Sequence, residues 1–262
     1  MLKVHYLGTC SGTEPIKGMH HCSFVIEIND ALYWFDAGEN CAYAANTSGV
    51  DMLKTRALFV SHPHIDHIGG LANLLFCIEK LQIRSGKVLA NDNTLDVFFP
   101  DLDVFAAIKT VAVGSASSKL EYVINEHKIK DGIIFQDKNL CITAQHNCHM
   151  GSTYIDTGWR SFSFLVEADG KRIVFSGDVA KLNELDELIA DGVDVLIAET
   201  GHHKVIDVCE YANSKNVKNL RFNHHGRAII ENRKENEKLT SEFSLKNNLS
   251  IKICYDGMIE DY

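Results

Sequence analysis

The segment His62-Pro63-His64-Ile65-Asp66-His67, followed at once by Ile68-Gly69-Gly70, places four potential metal ligands within six residues. Imidazole and carboxylate groups together suit zinc and similar transition metals. A buried carboxylate beside three imidazoles would carry a large desolvation cost unless a cation compensated it. The alternative interpretation, a histidine-rich surface turn, does not explain why these four side chains occur together. The segment therefore predicts a bound metal.

The flanking sequence predicts where the ligands lie. Residues 57–61, Ala-Leu-Phe-Val-Ser, are typical of a short buried strand. From Gly69 to Leu81, apolar residues recur at helical spacing. We therefore expect the ligands on a strand-to-helix loop, where imidazoles can converge without distorting either element.

Composition limits the class of protein. The chain has 262 residues, 45% of them hydrophobic, and a formal charge of −9. It can bury a sizeable core, and it has no general basic field to attract nucleic acid. The eight cysteines include no C-x-x-C pair, and the first residues do not resemble a signal peptide. No apolar run approaches the roughly 18 residues that span a bilayer. We expect a cytoplasmic protein with reduced thiols and no membrane partner.

Strand and helix patterns alternate along the chain. Asn29-Asp30 and Asp169-Gly170 are typical of hairpin turns between apolar runs. Few prolines and no low-complexity tract interrupt the pattern, so we expect one mixed α/β domain over residues 1–262. The region from Gly86 to Asp137 gives the weakest pattern. Predicted strands cover residues 4–7, 23–28, 32–35, 58–60, 140–144, 163–167, 172–176, 193–198 and 219–222, and a further strand ends at Phe98-Phe99-Pro100. Predicted helices cover 102–111, 182–190, 203–214 and 228–248.

One loop cannot supply all the ligands of two metals, so further ligands should follow other strands. Ser176-Gly177-Asp178 ends one predicted strand with a carboxylate on a tight turn. His146 and His149 both follow the strand at 140–144, and spacing alone does not decide between them. His224 and His225 both follow the strand at 219–222; we favour His224 because it comes first after the strand.

Together these residues resemble the metallo-β-lactamase fold superfamily of metal-dependent hydrolases. The resemblance implies an α/β fold, a four-layer αββα sandwich, over nearly the whole chain. It is specific for the fold and much less specific for the substrate. Five segments match in order: residues 8–13 (Gly-Thr-Cys-Ser-Gly-Thr), 35–38 (Phe-Asp-Ala-Gly), 62–67, 176–178 and His224.

The resemblance also implies a ligand set for two divalent ions. Zinc fits these ligands best, and manganese or iron could occupy the same set. Among the later histidines we choose His149, with His146 as the alternative. The implied ligands are His62, His64 and His149 for the first ion, and Asp66, His67 and His224 for the second, with Asp178 bridging the two.

Within the superfamily, the chain is most similar to ribonuclease Z and the small phosphodiesterases. Gly12-Thr13-Glu14-Pro15, residues 194–200 and Tyr255-Asp256-Gly257-Met258 carry this likeness. The Arg-Asn that those ribonucleases carry after the early proline is replaced by residues 17–21, Lys-Gly-Met-His-His, and no basic tRNA-clamping arm is evident. We therefore expect a small-molecule or nucleotide-like substrate rather than tRNA. The chain could act as a homodimer.

The implied mechanism is hydrolysis by a metal-bridging hydroxide. Two cations about 3.5–4 Å apart lower the pKa of shared water and polarise the bond under attack. Asp66 would both bind a metal and orient the nucleophile, while Glu199, His202 or His225 would protonate the leaving group. Phosphodiesters are the expected substrates. The alternatives are a thioester or lactone hydrolase of the same fold, and a di-iron redox enzyme, which histidines at both early ligand positions disfavour.

Overall fold

The fold was analysed in a computed structural model that describes residues 2–115, 119–151 and 158–262. The chain divides into two compact units, each containing one seven-stranded sheet. Unit 1 comprises Met1–Gly8, Gly12–Ile129 and Asp256–Tyr262, and unit 2 comprises Thr9–Ser11 and Lys130–Tyr255. The domain prediction for residues 1–262 stays a prediction.

The chain combines strands with helices, and each sheet contains parallel strands, which confirms the predicted α/β class. The strands are β1 (Leu2–Gly8), β2 (Ser23–Ile28), β3 (Ala31–Phe35), β4 (Thr55–Phe59), β5 (Thr94–Phe99), β6 (Val123–Lys128), β7 (Gly132–Gln136), β8 (Leu140–His146), β9 (Phe162–Ala168), β10 (Lys171–Phe175), β11 (Val195–Glu199), β12 (Asn219–Asn223), β13 (Ser250–Ile253) and β14 (Ile259–Asp261). The helices are α1 (Cys41–Thr47), α2 (Ile65–Ile68), α3 (Leu71–Ser85), α4 (Leu102–Val113), α5 (Asp186–Ile189), α6 (Val205–Ser214) and α7 (Arg227–Asn247), with 3₁₀ turns at Met52–Lys54 and Leu182–Leu185.

In unit 1 the sheet order is β14-β1-β2-β3-β4-β5-β6. Strands β3 to β6 are parallel, whereas β14, β1, β2 and β3 pair antiparallel. One face of this sheet packs with α1, α3 and α4 in a core that includes Trp34, Leu58 and Val97. The parallel strands β3 and β4 both end beside the predicted ligand segment, so their carboxyl ends bring its side chains together.

The opposite face of this sheet carries a ladder of aromatic rings, one from each strand from β1 to β6. Every ring belongs to a residue that is the direct register partner of the next. Centroid separations run from 4.4 to 6.2 Å, a range in which ring pairs attract one another. In order across the sheet, the rings are Tyr6, Phe24, Phe35, Phe59, Phe98 and His127.

In unit 2 the sheet order is β13-β12-β11-β10-β9-β8-β7. Strands β10 to β13 run parallel, and β7, β8, β9 and β10 pair antiparallel. Apolar residues from this sheet and from α5, α6 and α7 form a separate core, which includes Leu196 and Phe222. The residues that follow β10, β11 and β12 therefore lie at the same end of the sheet, beyond the carboxyl ends of these strands.

The predicted turns agree with the structure. Asn29 and Asp30 have φ values of 48° and 62°, and Asp169 and Gly170 have 51° and 72°. These are left-handed conformations that Asn, Asp and Gly adopt most readily. No helix in the described ranges is long and apolar enough to cross a membrane.

Candidate metal centre and active site

In unit 1, His62 and His64 present ring nitrogens to one another. Both follow β4, and Nε2 of His62 lies 2.9 Å from Nδ1 of His64. The rings meet edge to face, with centroids 4.6 Å apart. His62 is fully buried. Two nitrogens at this separation can share a proton or direct their lone pairs at one cation.

Asp66 and His67 lie in the one-turn helix α2 rather than in an irregular loop. The prediction of a single strand-to-helix loop was therefore wrong in this detail, because a turn too short for sequence periodicity interrupts the connection before α3. The Asp66 carboxylate lies 3.4 Å from Nε2 of His67, and both side chains are buried. Gly12 lies against this carboxylate, since a β-carbon there would be 2.9 Å from Asp66 Oδ2.

The orientation of His67 is fixed by Asp36, which follows β3. Asp36 Oδ2 accepts a hydrogen bond from His67 Nδ1 at 2.7 Å, and its two oxygens accept from the Ser61 backbone N–H at 2.7 Å and hydroxyl at 2.9 Å. All three residues are fully buried. A carboxylate on Nδ1 fixes the proton there, so the Nε2 lone pair is available to a metal. The sequence analysis named Asp36 only as part of the segment at residues 35–38 and did not predict its contact with His67. Its position directly after an apolar strand was the one sequence feature that could have indicated this role.

In unit 2, Asp178 is the centre of a second group of donors. Gly177, at φ +54°, turns the chain after β10 and presents the carboxylate. Asp178 Oδ1 lies 3.3 Å from His224 Nε2, and Oδ2 lies 3.6 Å from His149 Nε2. Asp178, Glu199, His202 and His224 each offer an atom, and these atoms all lie within 4.8 Å of one another.

His149, rather than His146, approaches Asp178. The buried Asn147 side chain accepts from the His149 backbone N–H and donates to Ser163 of β9. This pair of bonds fixes the turn after β8. His146 points elsewhere: Nδ1 contacts Asp131 Oδ2 at 2.6 Å, and its ring stacks on Trp159.

His224 and His225 have different environments. His224 has φ +48°, an uncommon conformation for histidine that is typical of functional sites. His225 is fully buried, and its Nε2 contacts the Cys254 carbonyl at 2.9 Å. Burial lowers the pKa of His225 to about 4, so the ring is neutral at physiological pH. His225 also exchanges backbone hydrogen bonds with Thr9 and Ser11 and has a structural role.

Glu199 and His202 form a dyad at the end of β11. Glu199, 2% exposed, accepts from the His202 backbone N–H at 2.8 Å and contacts its Nδ1 at 2.9 Å. Burial raises the pKa of Glu199, but hydrogen bonds with His202 and His224 and their charges outweigh burial, so the net pKa lies below the usual range. The hydrogen bond to Glu199 raises the pKa of His202 against the opposing effect of burial. The His202 side chain remains 43% exposed.

The spacing of these donors fits a tetrahedral metal. Zinc to nitrogen or oxygen bonds of about 2.0–2.1 Å place neighbouring ligand atoms about 3.3 Å apart. The observed separations are 2.9 Å for His62 and His64, 3.4 Å for Asp66 and His67, 3.3 Å for Asp178 and His224, and 3.6 Å for His149 and Asp178. Unit 1 therefore contains two pairs of donors, and unit 2 a group of donors, at separations that suit a metal.

The two mixed sheets and the donor groups at their strand ends define a metallo-β-lactamase fold protein, and solved structures agree. YhfI from Bacillus subtilis, a metallo-β-lactamase fold protein, superposes with a TM-score of 0.75 at 16% identity, over 99% of this chain and 98% of that chain. Human tRNase Z, short form, superposes with a TM-score of 0.73 at 17% identity, over 99% of this chain and 98% of that chain. The predicted fold is confirmed.

The particular family follows from the sequence. A model of the family described as Anti-Pycsar protein Apyc1 matches residues 2–224, and the chain belongs to that family. Ribonuclease Z from Listeria monocytogenes is 29% identical over 196 residues, which is 74% of this chain and 55% of that protein. The chain thus spans about half the length of the curated relatives it matches.

Proposed function

We propose that this protein is a dinuclear metal-dependent phosphodiesterase acting on small or nucleotide-like substrates. The observation that carries the proposal is a pair of donor groups, one built around buried His67 and the other around buried Asp178. In unit 1 a histidine is held by a buried carboxylate on the nitrogen opposite its proposed ligand atom. In unit 2 a buried aspartate lies beside two histidine nitrogens. Such arrangements are costly to bury without a cation.

The proposed ligand set is that implied by the resemblance. His62, His64 and His149 would hold one ion, Asp66, His67 and His224 the other, and Asp178 would bridge them. Zinc suits this mixture of imidazole and carboxylate. When bound, the two ions would lower the pKa of a water molecule and polarise the phosphoryl oxygen. Asp66 would also orient the attacking water through its second oxygen.

Glu199 and His202 would handle the proton of the leaving group. Glu199 occupies Nδ1 of His202, so Nε2 is the nitrogen that can face a substrate. The imidazole is 43% exposed, whereas its carboxylate partner is buried. We propose that His202 donates a proton to the departing alkoxide while Glu199 holds the ring in place and stabilises its charge.

The names of the curated relatives support cleavage of phosphodiester bonds. The curated proteins that match include ribonucleases Z, and a ribonuclease cleaves phosphodiester bonds. The net charge of −9 and the replacement at residues 17–21 oppose tRNA as the substrate. The proposed substrate is therefore smaller than tRNA.

The test is an activity panel on protein of measured metal content. Bis(4-nitrophenyl) phosphate, small cyclic and linear nucleotide phosphodiesters, a precursor tRNA, a thioester and a lactone are compared. The proposal expects two equivalents of metal and turnover of the small phosphodiesters. His64→Ala should abolish activity, and Tyr43→Ala is the control because Tyr43 is an exposed residue on α1.

Other outcomes would replace the proposal. Turnover of the thioester or lactone without phosphodiester cleavage would assign the protein to another hydrolase subgroup. A coloured, iron-loaded protein would favour redox chemistry. Efficient cleavage of precursor tRNA would refute the size limit on the substrate, and protein that binds no transition metal on titration would refute the metal site itself.

A further inference from the structure

Trp159 has a different environment from the other tryptophan of the chain. The chain has two tryptophans. Trp34 is fully buried in the core of unit 1, where its indole N–H donates to Thr55 at 2.9 Å. Trp159 is only partly buried, although burying an indole is one of the largest apolar contributions a side chain can make.

One face of the Trp159 ring is fixed by His146. The two ring centroids are 3.9 Å apart and the planes differ by 13°. The imidazole is itself immobilised, because Asp131 accepts from the His146 backbone N–H at 2.7 Å and contacts its Nδ1 at 2.6 Å. Both Asp131 oxygens thus hold one histidine. The indole of Trp159 is therefore held in place on one face by a histidine that is itself fixed by hydrogen bonds to Asp131.

The topology of unit 2 places this surface at the end of the sheet where the candidate site residues lie. His146 ends β8 and pairs with Phe162, the first residue of β9. Strand β9 is antiparallel to β10, and β10 to β12 are parallel. The end of β9 that Trp159 precedes is thus the end at which Asp178, Glu199 and His224 leave the sheet. His149 follows His146 by three residues, a distance of at most about 11 Å.

We propose that Trp159, supported by His146 and Asp131, is a stacking platform for the aromatic base of a nucleotide substrate. The inference deepens the proposed function and rests on it for the nature of the substrate. Stacking suits every base, because each has a π face, and it needs no hydrogen-bond code. A ring that is already immobile loses little conformational freedom when a base stacks on it.

The platform can be tested by fluorescence without catalysis. The protein is purified with its metals and titrated with AMP while indole emission is followed. Trp159 should be quenched, whereas Trp34, buried in unit 1, should not respond. Ribose 5-phosphate, which has the phosphate but no base, should bind more weakly and leave the emission unchanged.

Substitutions of Trp159 distinguish a loss of base stacking from a loss of folding. Trp159→Ala should raise the dissociation constant for AMP by roughly 5- to 150-fold, the range of one base stack, and leave that for ribose 5-phosphate unchanged. Trp159→Phe should restore part of the affinity but abolish the quenching. Tyr43→Ala, which removes an exposed ring from α1, is the control and should change neither constant.

Two results would overturn the platform. One is equal affinity of the wild-type protein for AMP and ribose 5-phosphate, and the other is quenching that persists in Trp159→Phe. Failure of the proposed function is a separate outcome, because AMP could quench Trp159 in a protein that cleaves no phosphodiester. Conversely, hydrolysis of bis(4-nitrophenyl) phosphate by a protein with equal affinity for AMP and ribose 5-phosphate would keep the hydrolase and remove the platform.

Discussion

Replacement of Asp36 by asparagine should weaken metal binding although the side chain touches no proposed metal position. The substitution keeps the size of the side chain, and asparagine tolerates the left-handed backbone at this residue, φ +57°. It changes only the hydrogen bonding. The aspartate accepts three hydrogen bonds, two from Ser61 and one from His67 Nδ1.

Asparagine cannot accept all three. If its oxygen stays on the Ser61 backbone N–H, its amide group faces His67 Nδ1 and favours the tautomer with the proton on Nε2, the proposed ligand atom. If the amide is reversed, two N–H donors face one another at Ser61, which costs about 1–3 kcal/mol. Loss of such a supporting partner typically lowers metal affinity roughly 10- to 100-fold, or about 1.4–2.7 kcal/mol.

The assay is competition for zinc against a chromophoric chelator, together with urea unfolding of metal-stripped protein. Asp36→Asn should bind zinc more weakly by the stated factor and should remain folded. Asp96→Asn is the matched control, because Asp96 also contacts a histidine and an arginine in unit 1. If Asp36→Asn bound zinc with wild-type affinity and stoichiometry, the argument from the histidine tautomer would be refuted.

Three further predictions concern unit 2. His202→Asn should slow hydrolysis of alkyl phosphodiesters by roughly 10²- to 10⁴-fold but change release of 4-nitrophenolate little, since that leaving group needs no proton; equal losses on both would contradict a proton donor. Gly201→Ala should lower zinc affinity by roughly tenfold, because its β-carbon would lie 2.8 Å from His224 Nδ1; chelator competition would measure this, and unchanged affinity would show that the ring can move freely. Burial raises the pKa of Asp194, but the hydrogen bonds from Lys218 at 2.8 Å and from the Arg172 backbone N–H, together with the nearby lysine charges, outweigh it, so the net pKa is depressed. Its stabilisation is complete above the unfolded pKa near about 4 and is lost as pH falls through the folded value, so the unfolding free energies of wild type and Asp194→Asn, stripped of metal, should differ at pH 7 and converge in acid; a constant difference would be inconsistent with this linkage.

Buried strands could be predicted from sequence, whereas edge strands could not. Strands such as β2 and β11 are continuous apolar runs between turn residues. Strand β6, at the edge of its sheet, is mostly exposed and has no comparable pattern. The seven-residue helix α1 is too short for its periodicity to stand out.

The candidate site shows the same limit. The candidate metal ligands could be identified because histidine and aspartate recur directly after several predicted strands. The roles of Asp36 and Ser61 depend on hydrogen bonds between different strands, which no local pattern encodes. The choice between His146 and His149 likewise depends on the direction in which each ring points after β8. The two residues are only three positions apart in the chain, and their sequence context does not indicate that direction.

The ladder of aromatic rings across unit 1 has a consequence for the geometry of the candidate metal site. Phe35 stacks on Phe59 at 5.3 Å, and Asp36 directly follows the first of these residues. The Asp36 backbone N–H donates to the Phe59 carbonyl at 2.9 Å, just before the chain reaches Ser61. A slip of one residue between β3 and β4 would turn one ring to the opposite face and carry Asp36 away from His67. Stacking of Phe35 on Phe59 therefore helps to fix the strand register that places Asp36 against His67.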